Sequence, residues 1–383
     1  MGAVDDSELG YLLAVTAACV WSPRPLTTWF EQLGSARAIL EHVRVAGPLA
    51  PPGAEALSAD ALTRLSAIDD AAARHAVACL RSSGCSIVLK GDSAYPRRLL
   101  DLRDPPFVLY YRGDIATLAA RCVAIVGSRA ASAYGRRVAS TVAAEFAAFG
   151  ACVISGFARG VDAAAHRGAL DAGSTTCAVL GSGLDNLYPN YHAELANDIL
   201  EHGGTVLSEF PPAFEAKPYQ FPMRNRIVAA LADATIVVEA SERSGALITV
   251  RLADEIGRSV FAVPGDIDRP TSAGSNALIK DGVPLVTSAA DVASLMRWDL
   301  TDIGNAVASV GPGSAAMDDC VPLLAKLGAE SLDADELAAR MRCSAAEVAA
   351  ALTVLEIQGL VERLAGGSYA AVRGARAAKS GRV

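Results

Sequence analysis

Six short apolar runs in this sequence end in small or polar residues. They end at Gly127-Ser128-Arg129, Ser155-Gly156, Gly181-Ser182-Gly183, Ser208-Glu209, Glu239-Ala240-Ser241 and Pro264-Gly265. Small residues let a ligand approach the backbone closely, and free N–H groups at helix starts take phosphates. One such end is common. Six of them predict a long crevice for a ligand with several phosphates. In "VAIVGSRAASAYG", Gly127 and Ser128 are expected to offer donors to one phosphate, with Arg129 clamping it from the side. A second segment, "AKPYQFPMRNRIVAAL", interleaves Lys217, Arg224 and Arg226 with Tyr219 and Phe221, and sets Asn225 between the two arginines. Cations that track phosphates, next to rings that stack on bases, suit single-stranded nucleic acid. Arginines in the first turns of a helix oppose its dipole, so their charge is needed for another purpose. The competing reading is that Phe221 plugs the core and the arginines pair with carboxylates.

Other chemistries fit less well. "GSRAASAYG" lacks the G-x-G-x-x-G spacing of a dinucleotide site, "LGSGLDN" has no third small residue, and no G-x-x-x-x-G-K-[ST] occurs. In "SGFARGVDAAAHRGAL", Asp162 and His166 stand four apart on one helix face near Ser155. A Ser-His-Asp triad draws its members from separate elements, and no G-x-S-x-G elbow is present. Asp162 therefore reads as first-turn helix chemistry with His166 as its partner. Arg159, just before that helix, either faces the crevice or is a solvated loop residue. Ser244 and Gly245, in "EASERSGALIT", are either a further phosphate contact or a simple N-cap.

These residues need a frame that brings strand ends together. From about 86 to 298, β-rich runs recur at Ile87–Leu89, Val108–Tyr111, Val123–Val126, Cys152–Ser155, Cys177–Leu180, Val206–Ser208, Ile236–Glu239 and Val260–Val263, with amphipathic stretches such as Tyr134–Phe149 between most of them. Strands alternating with helices predict an α/β fold with a doubly wound parallel sheet, whose ligands bind at the carboxyl ends of the strands. Residues 1–82 read as a helical module, of the SAM or helix-hairpin-helix kind, broken by "VAGPLAPPGAEAL". With few basic residues there, a scaffold or partner role is favoured over phosphate binding. Residues 299–317 read as a linker, 318–372 as a winged helix, and 373–383 as a basic disordered tail.

The net charge of −8 argues against a general nucleic-acid coat. Its distribution does not: 115–144 holds four basic residues and no acid, and 216–232 holds Lys217, Arg224 and Arg226 and no acid. A basic site on an acidic body steers a polyanion to one place. The eight cysteines form no CxxC, so they read as buried apolar residues of a cytoplasmic protein rather than a metal site or disulfides. The apolar segment Leu9–Trp21 follows acidic residues and is too short to span a bilayer, so it reads as a buried helix.

Eight segments, in order, carry a family resemblance: "YPRRLLDLRDPPFVLYYRGD", "VAIVGSRAASAYG", "SGFARGVDAAAH", "LGSGLDNLYP", "LSEFPP", "FPMRNRIVAAL", "VVEASERSGALIT" and "VFAVPGDIDRPTSAGSNALIKDG". Over about 85–290 the chain resembles the DNA-processing protein A (DprA/Smf) family. The resemblance implies an extended Rossmann-like core that binds single-stranded DNA, self-association as a homodimer, and help in loading a RecA-type recombinase during natural transformation. A single-strand-binding protein completes the expected partners. No cofactor, metal or membrane is expected, and family members are not thought to be catalysts. Carried over by motif, the phosphate site falls on Gly127, Ser128 and Arg129, and the basic–aromatic contacts on Lys217, Phe221, Arg224 and Arg226. The segment expected as recognition helix, Ser344–Gln358, holds Glu347 and Glu356 and no basic residue, which favours protein docking over duplex reading. The alternative function is a Rossmann-like nucleotide-processing enzyme of the phosphoribohydrolase type. Against it, "VVEASERSGALIT" lacks that group's glycine pair and glutamate.

Overall fold

The computed structural model describes residues 5–298 and, farther on, 336–338, 348, 352, 361–363 and 369–371. The chain forms two compact units, Met1–Gly304 and Asn305–Val383.

The first unit begins with five helices: α1 (Asp6–Ala18), α2 (Pro23–Leu33), α3 (Ala36–Ala46), α4 (Ala59–Ser66) and α5 (Asp70–Ser83). The Pro/Gly-rich stretch lies between α3 and α4, where prolines deny the helix its N–H donors. Trp29, Ile39 and Val15 are fully buried in the cluster these helices share. Leu13 of α1 and Val77 and Leu80 of α5 also pack against the sheet edge at Leu89, Val108 and Tyr110. Helical region and sheet thus belong to one compact unit.

The sheet has eight strands: β1 (Ser86–Leu89), β2 (Val108–Gly113), β3 (Cys122–Val126), β4 (Cys152–Ser155), β5 (Thr176–Val179), β6 (Thr205–Ser208), β7 (Ala234–Val237) and β8 (Ser259–Ala262). Their order is β1-β2-β6-β5-β4-β3-β7-β8. The six from β6 to β8 are parallel, while β2 runs antiparallel to β6 and β1 antiparallel to β2. The expected doubly wound parallel sheet thus carries two antiparallel strands at one edge. The connection from β1 to β2 holds a 3-10 turn, Arg97–Asp101, and no α-helix of the kind that usually carries a parallel crossover.

Side chains alternate across β3. Cys122, Ala124 and Val126 join one core with α9 (Gln220–Leu231) and α10 (Ala246–Glu255), while Val123 and Ile125 join the other with α6 (Ala133–Ala148) and α7 (Val161–Asp171). That is the period of a strand buried on both faces. The helices α8 (Ala193–Glu201), α11 (Ala273–Lys280) and α12 (Ala289–Leu295) complete this unit. From β3 the chain steps through β4, β5 and β6 in one direction, then returns by α9 to put β7 on the other side of β3. The switch point between β3 and β7 is where such sheets open a crevice.

In the second unit, β9 (Val361–Arg363) and β10 (Tyr369–Ala371) pair antiparallel, as expected of a wing. Val348 and Leu352 are helical and buried. The linker, most of the expected recognition helix and the tail lie outside the described residues.

Candidate nucleic-acid interface

A pocket of about 480 Å³ opens at the switch point. Its wall includes Gly127, Ser128 and Arg129 after β3, Gly156 after β4, Phe221, Arg224 and Asn225 of α9, and Ser244 and Gly245 before α10. The structure therefore brings nine of the thirteen predicted residues to one place. Val126, Val228 and Ile248 add an apolar wall. Apolar lining with a few directed polar groups suits a ring-bearing ligand.

Arg129 is exposed, with its guanidinium carbon 5.0 Å from the Phe221 ring centroid. It makes no salt bridge among the described residues. Phe221 stands over Gly181, where a β-carbon would lie 2.8 Å from the ring. That close approach explains why the β5 strand end carries glycine. Ser128 is arranged differently from the expectation. Its backbone N–H donates to the Glu239 carbonyl at 2.7 Å, and its hydroxyl accepts from Ala130 N–H at 3.1 Å. The hydroxyl proton, not the amide, is what Ser128 can offer a phosphate.

The start of α6 is likewise already occupied. Buried Glu239 accepts from Ser132 N–H at 2.8 Å and from the Ser132 hydroxyl at 2.6 Å. A carboxylate thus stands where a dinucleotide fold would receive its pyrophosphate. Discrimination against a dinucleotide is built into the cap as well as into the missing glycine.

Arg224 and Arg226 diverge, because residues two apart on a helix point to nearly opposite sides. Arg224 is buried in the pocket wall and donates to the Gly156 and Val179 carbonyls. Burial pulls its guanidinium down to about 10, partly offset by Asp162, so it remains a cation at neutral pH. Arg226 lies elsewhere, 2.6 Å from Glu209 and 3.3 Å from Asp104 in a buried ion-pair cluster. For Arg226 the carboxylate-pairing reading holds. Asn225 donates to the Gly245 carbonyl at 3.2 Å, which ties α9 to the turn before α10.

Ser155, Arg159 and Lys217 are not in the pocket wall. The Ser155 hydroxyl is fully buried and donates to the Ile125 carbonyl at 2.6 Å. Arg159 and Lys217 are exposed; the Lys217 amide is held by the Gln220 side chain. The N-cap of α10 is Gly245, and the Ser244 hydroxyl accepts from the Ala246 N–H at 3.3 Å in its first turn.

Asp162 is a pocket residue that the sequence reading gave a helix role. Its carboxylate accepts from Ala158 N–H at 3.2 Å. Burial pushes it up to about 6, with Arg224 opposing. Contrary to the expectation, His166 does not hydrogen-bond to it. Its Nδ1 meets the Thr176 hydroxyl at 2.8 Å, and burial holds the ring down to about 3, hence neutral. Gly156 separates Asp162 from Arg224: a β-carbon there would stand 2.6 Å from the carboxylate and 2.7 Å from the guanidinium. The signal for the pocket role of Asp162 was its place in the first turn after a glycine-bearing strand end.

Among the described residues no cluster of His, Cys, Asp or Glu could hold a metal, and no helix is long and apolar enough to cross a membrane. The cysteines described are all free, and Cys19, Cys122, Cys152 and Cys177 are buried.

Comparison with known proteins agrees with this architecture. The family model for DNA recombination-mediator protein A matches residues 86–297, and that for the DprA winged helix domain matches 312–367. The chain is 39% identical over 276 residues to Protein Smf of Escherichia coli, covering 71% of this chain and 74% of that one. It is 43% identical over 201 residues to DNA processing protein DprA of Streptococcus pneumoniae, covering 52% and 71%. The X-ray structure of the S. pneumoniae protein aligns with a TM-score of 0.58 at 32% identity, over 76% of this chain and 98% of that one. DNA processing protein A of Helicobacter pylori, whose structure is described by its single-stranded DNA binding mode, aligns with a TM-score of 0.50 at 30% identity, over 56% and 96%. The C-terminal part of the chain is a winged helix domain, and the chain as a whole belongs to the DNA recombination-mediator protein A (DprA/Smf) family.

Proposed function

We infer that the pocket between β3 and β7 holds one nucleotide of a single DNA strand. The observation that carries this is the Arg129 guanidinium, exposed and free of any salt bridge among the described residues, set against the Phe221 ring at the pocket mouth. Arg129 and the Ser128 hydroxyl take the phosphate, Phe221 stacks on the base, and Arg224 supplies a fixed positive field from the wall. A duplex presents its phosphates but hides its base faces, so such a site prefers single strands. The chain then acts as a recombination mediator in the cytoplasm. It shields incoming single strands and helps load a RecA-type recombinase, in contact with a second copy of itself and with a single-strand-binding protein. Membership of the family supports that wider role.

The chemistry is binding, with no catalytic step. In titrations of a labelled oligonucleotide, Arg129→Ala should lose about tenfold in single-strand affinity or more, and affinity should fall as salt rises. The same protein should release no base from nucleoside monophosphates. Undiminished affinity in Arg129→Ala overturns the site assignment, and robust base release overturns the binding-only reading.

A further inference from the structure

We propose that Tyr188 is a second stacking platform, which takes the base next to the nucleotide held at Arg129 and Phe221. The proposal rests on the single-strand reading of that pocket and extends it along the strand.

Tyr188 lies in the segment between β5 and α8, outside the pocket wall. Tyr188 is 52% exposed, in a chain with only 5% aromatic residues. Packing does not account for that placement, since about half of the residue remains in water. The ring lies 5.4 Å from the Phe221 centroid, tilted by 50°. That separation is within the 4.5–7 Å range of interacting aromatic pairs. Phe221 therefore touches the Arg129 cation and the Tyr188 ring at once.

The segment that carries Tyr188 is tied down. Gly183 N–H donates to the Phe214 carbonyl at 2.8 Å, Asp185 N–H to Pro212 at 2.9 Å, and the Asn186 amide to Ala213 at 2.8 Å. Asp185 also pairs with Arg112 at 2.5 Å. A ring held on such a base loses little freedom when a nucleobase stacks on it. Other exposed tyrosines lack this relation to the pocket. Tyr219 sets its ring against Trp21 at 4.8 Å, and Tyr191 sets its ring against His192 at 4.8 Å.

The test uses the full chain and a poly-dT oligonucleotide of about 20 nucleotides, with a second version carrying 2-aminopurine to report stacking. Tyr188→Ala should weaken binding about tenfold, in the range of single base–aromatic stacks, and should lose part of the 2-aminopurine quenching seen with the unaltered chain. Tyr188→Phe should restore both, because the ring and not the hydroxyl acts. Tyr191→Ala should bind as the unaltered chain does. Unchanged affinity and quenching in Tyr188→Ala, with Arg129→Ala still weakened, overturns the second platform and leaves the pocket reading standing. If Arg129→Ala is also unchanged, the pocket reading and this proposal fail together.

Discussion

At the residue scale, Asp162 is the unexpected member of the pocket. A carboxylate in a site for phosphates is unfavourable unless it is neutral or compensated. Arg224 supplies compensation, and burial raises the carboxyl to about 6 from the ordinary 3.8. The fold thus favours the protonated form. Asp162 works against folding above about pH 6, and this disadvantage shrinks as pH falls toward 3.8. The same sign applies to DNA. Protonation removes a negative charge from the wall, so single-strand affinity should rise as pH falls from 7.5 to 5.5. A unit charge about 10 Å from a phosphate, at an effective dielectric near 20–40, is worth about 1 kcal/mol, or about fivefold in affinity. Asp162→Asn keeps an acceptor for Ala158 N–H and should abolish the rise. Binding titrations at the two pH values decide it: an equal rise in both proteins would place the titrating group elsewhere. Arg224 and Arg226 show what was legible at this scale. Both looked alike by type and neighbourhood, yet the helical period places them on different sides. That period was available in the sequence; the carboxylates at 104 and 209 that claim Arg226 were not, because they come from distant segments.

At the element scale, the pocket depends on the loop between β3 and α6, and that loop depends on Glu239 after β7. Its carboxylate and carbonyl together hold Ser132 and Ser128, which fixes the direction in which Arg129 leaves the strand. Glu239→Ala would leave the half-buried Ser132 N–H and hydroxyl without their charged acceptor. Such losses cost about 1.5–3 kcal/mol each, and a domain of this size loses about 2–4 °C in Tm per kcal/mol. A Tm lower by at least about 5 °C, with weakened single-strand binding, is the expected result of thermal melts and titrations. A melt within about 1 °C of the unaltered protein would show that the loop holds itself. Strand positions were readable because each is an apolar, β-rich run, and the six parallel ones end in small or polar residues. The antiparallel edge was not, since direction is not written in a strand's hydrophobic pattern. The length of the β1–β2 connection was consistent with either arrangement until its lack of a crossover helix was seen. The helical start of the chain also gains a role at this scale. Trp21 packs on Phe210, Phe214 and Tyr219, the segment that leads into α9, so one aromatic cluster joins the helical region to the run-in of that helix.

At the scale of the whole molecule, the chain carries a net charge of −8, and two arginines, Arg129 and Arg224, line the pocket. A net negative charge discourages general coating of a polyanion and leaves binding to a few contacts. The salt dependence should then be shallow, set by the few phosphates neutralised at the pocket rather than by a long basic track. The four basic residues of 373–383 are a separate source of charge. Their contribution can be removed without touching the pocket, because Met1–Gly304 is a compact unit by itself. A chain ending at Gly304 should fold cooperatively and keep single-strand affinity within about threefold at physiological salt, where long-range charge contributions are largely screened. If the winged helix docks on protein rather than DNA, the same truncation should alter assembly, seen by sedimentation, far more than affinity. A loss of tenfold or more in oligonucleotide binding would mean that the strand is gripped by both units, and that the crevice between β3 and β7 is only part of the site.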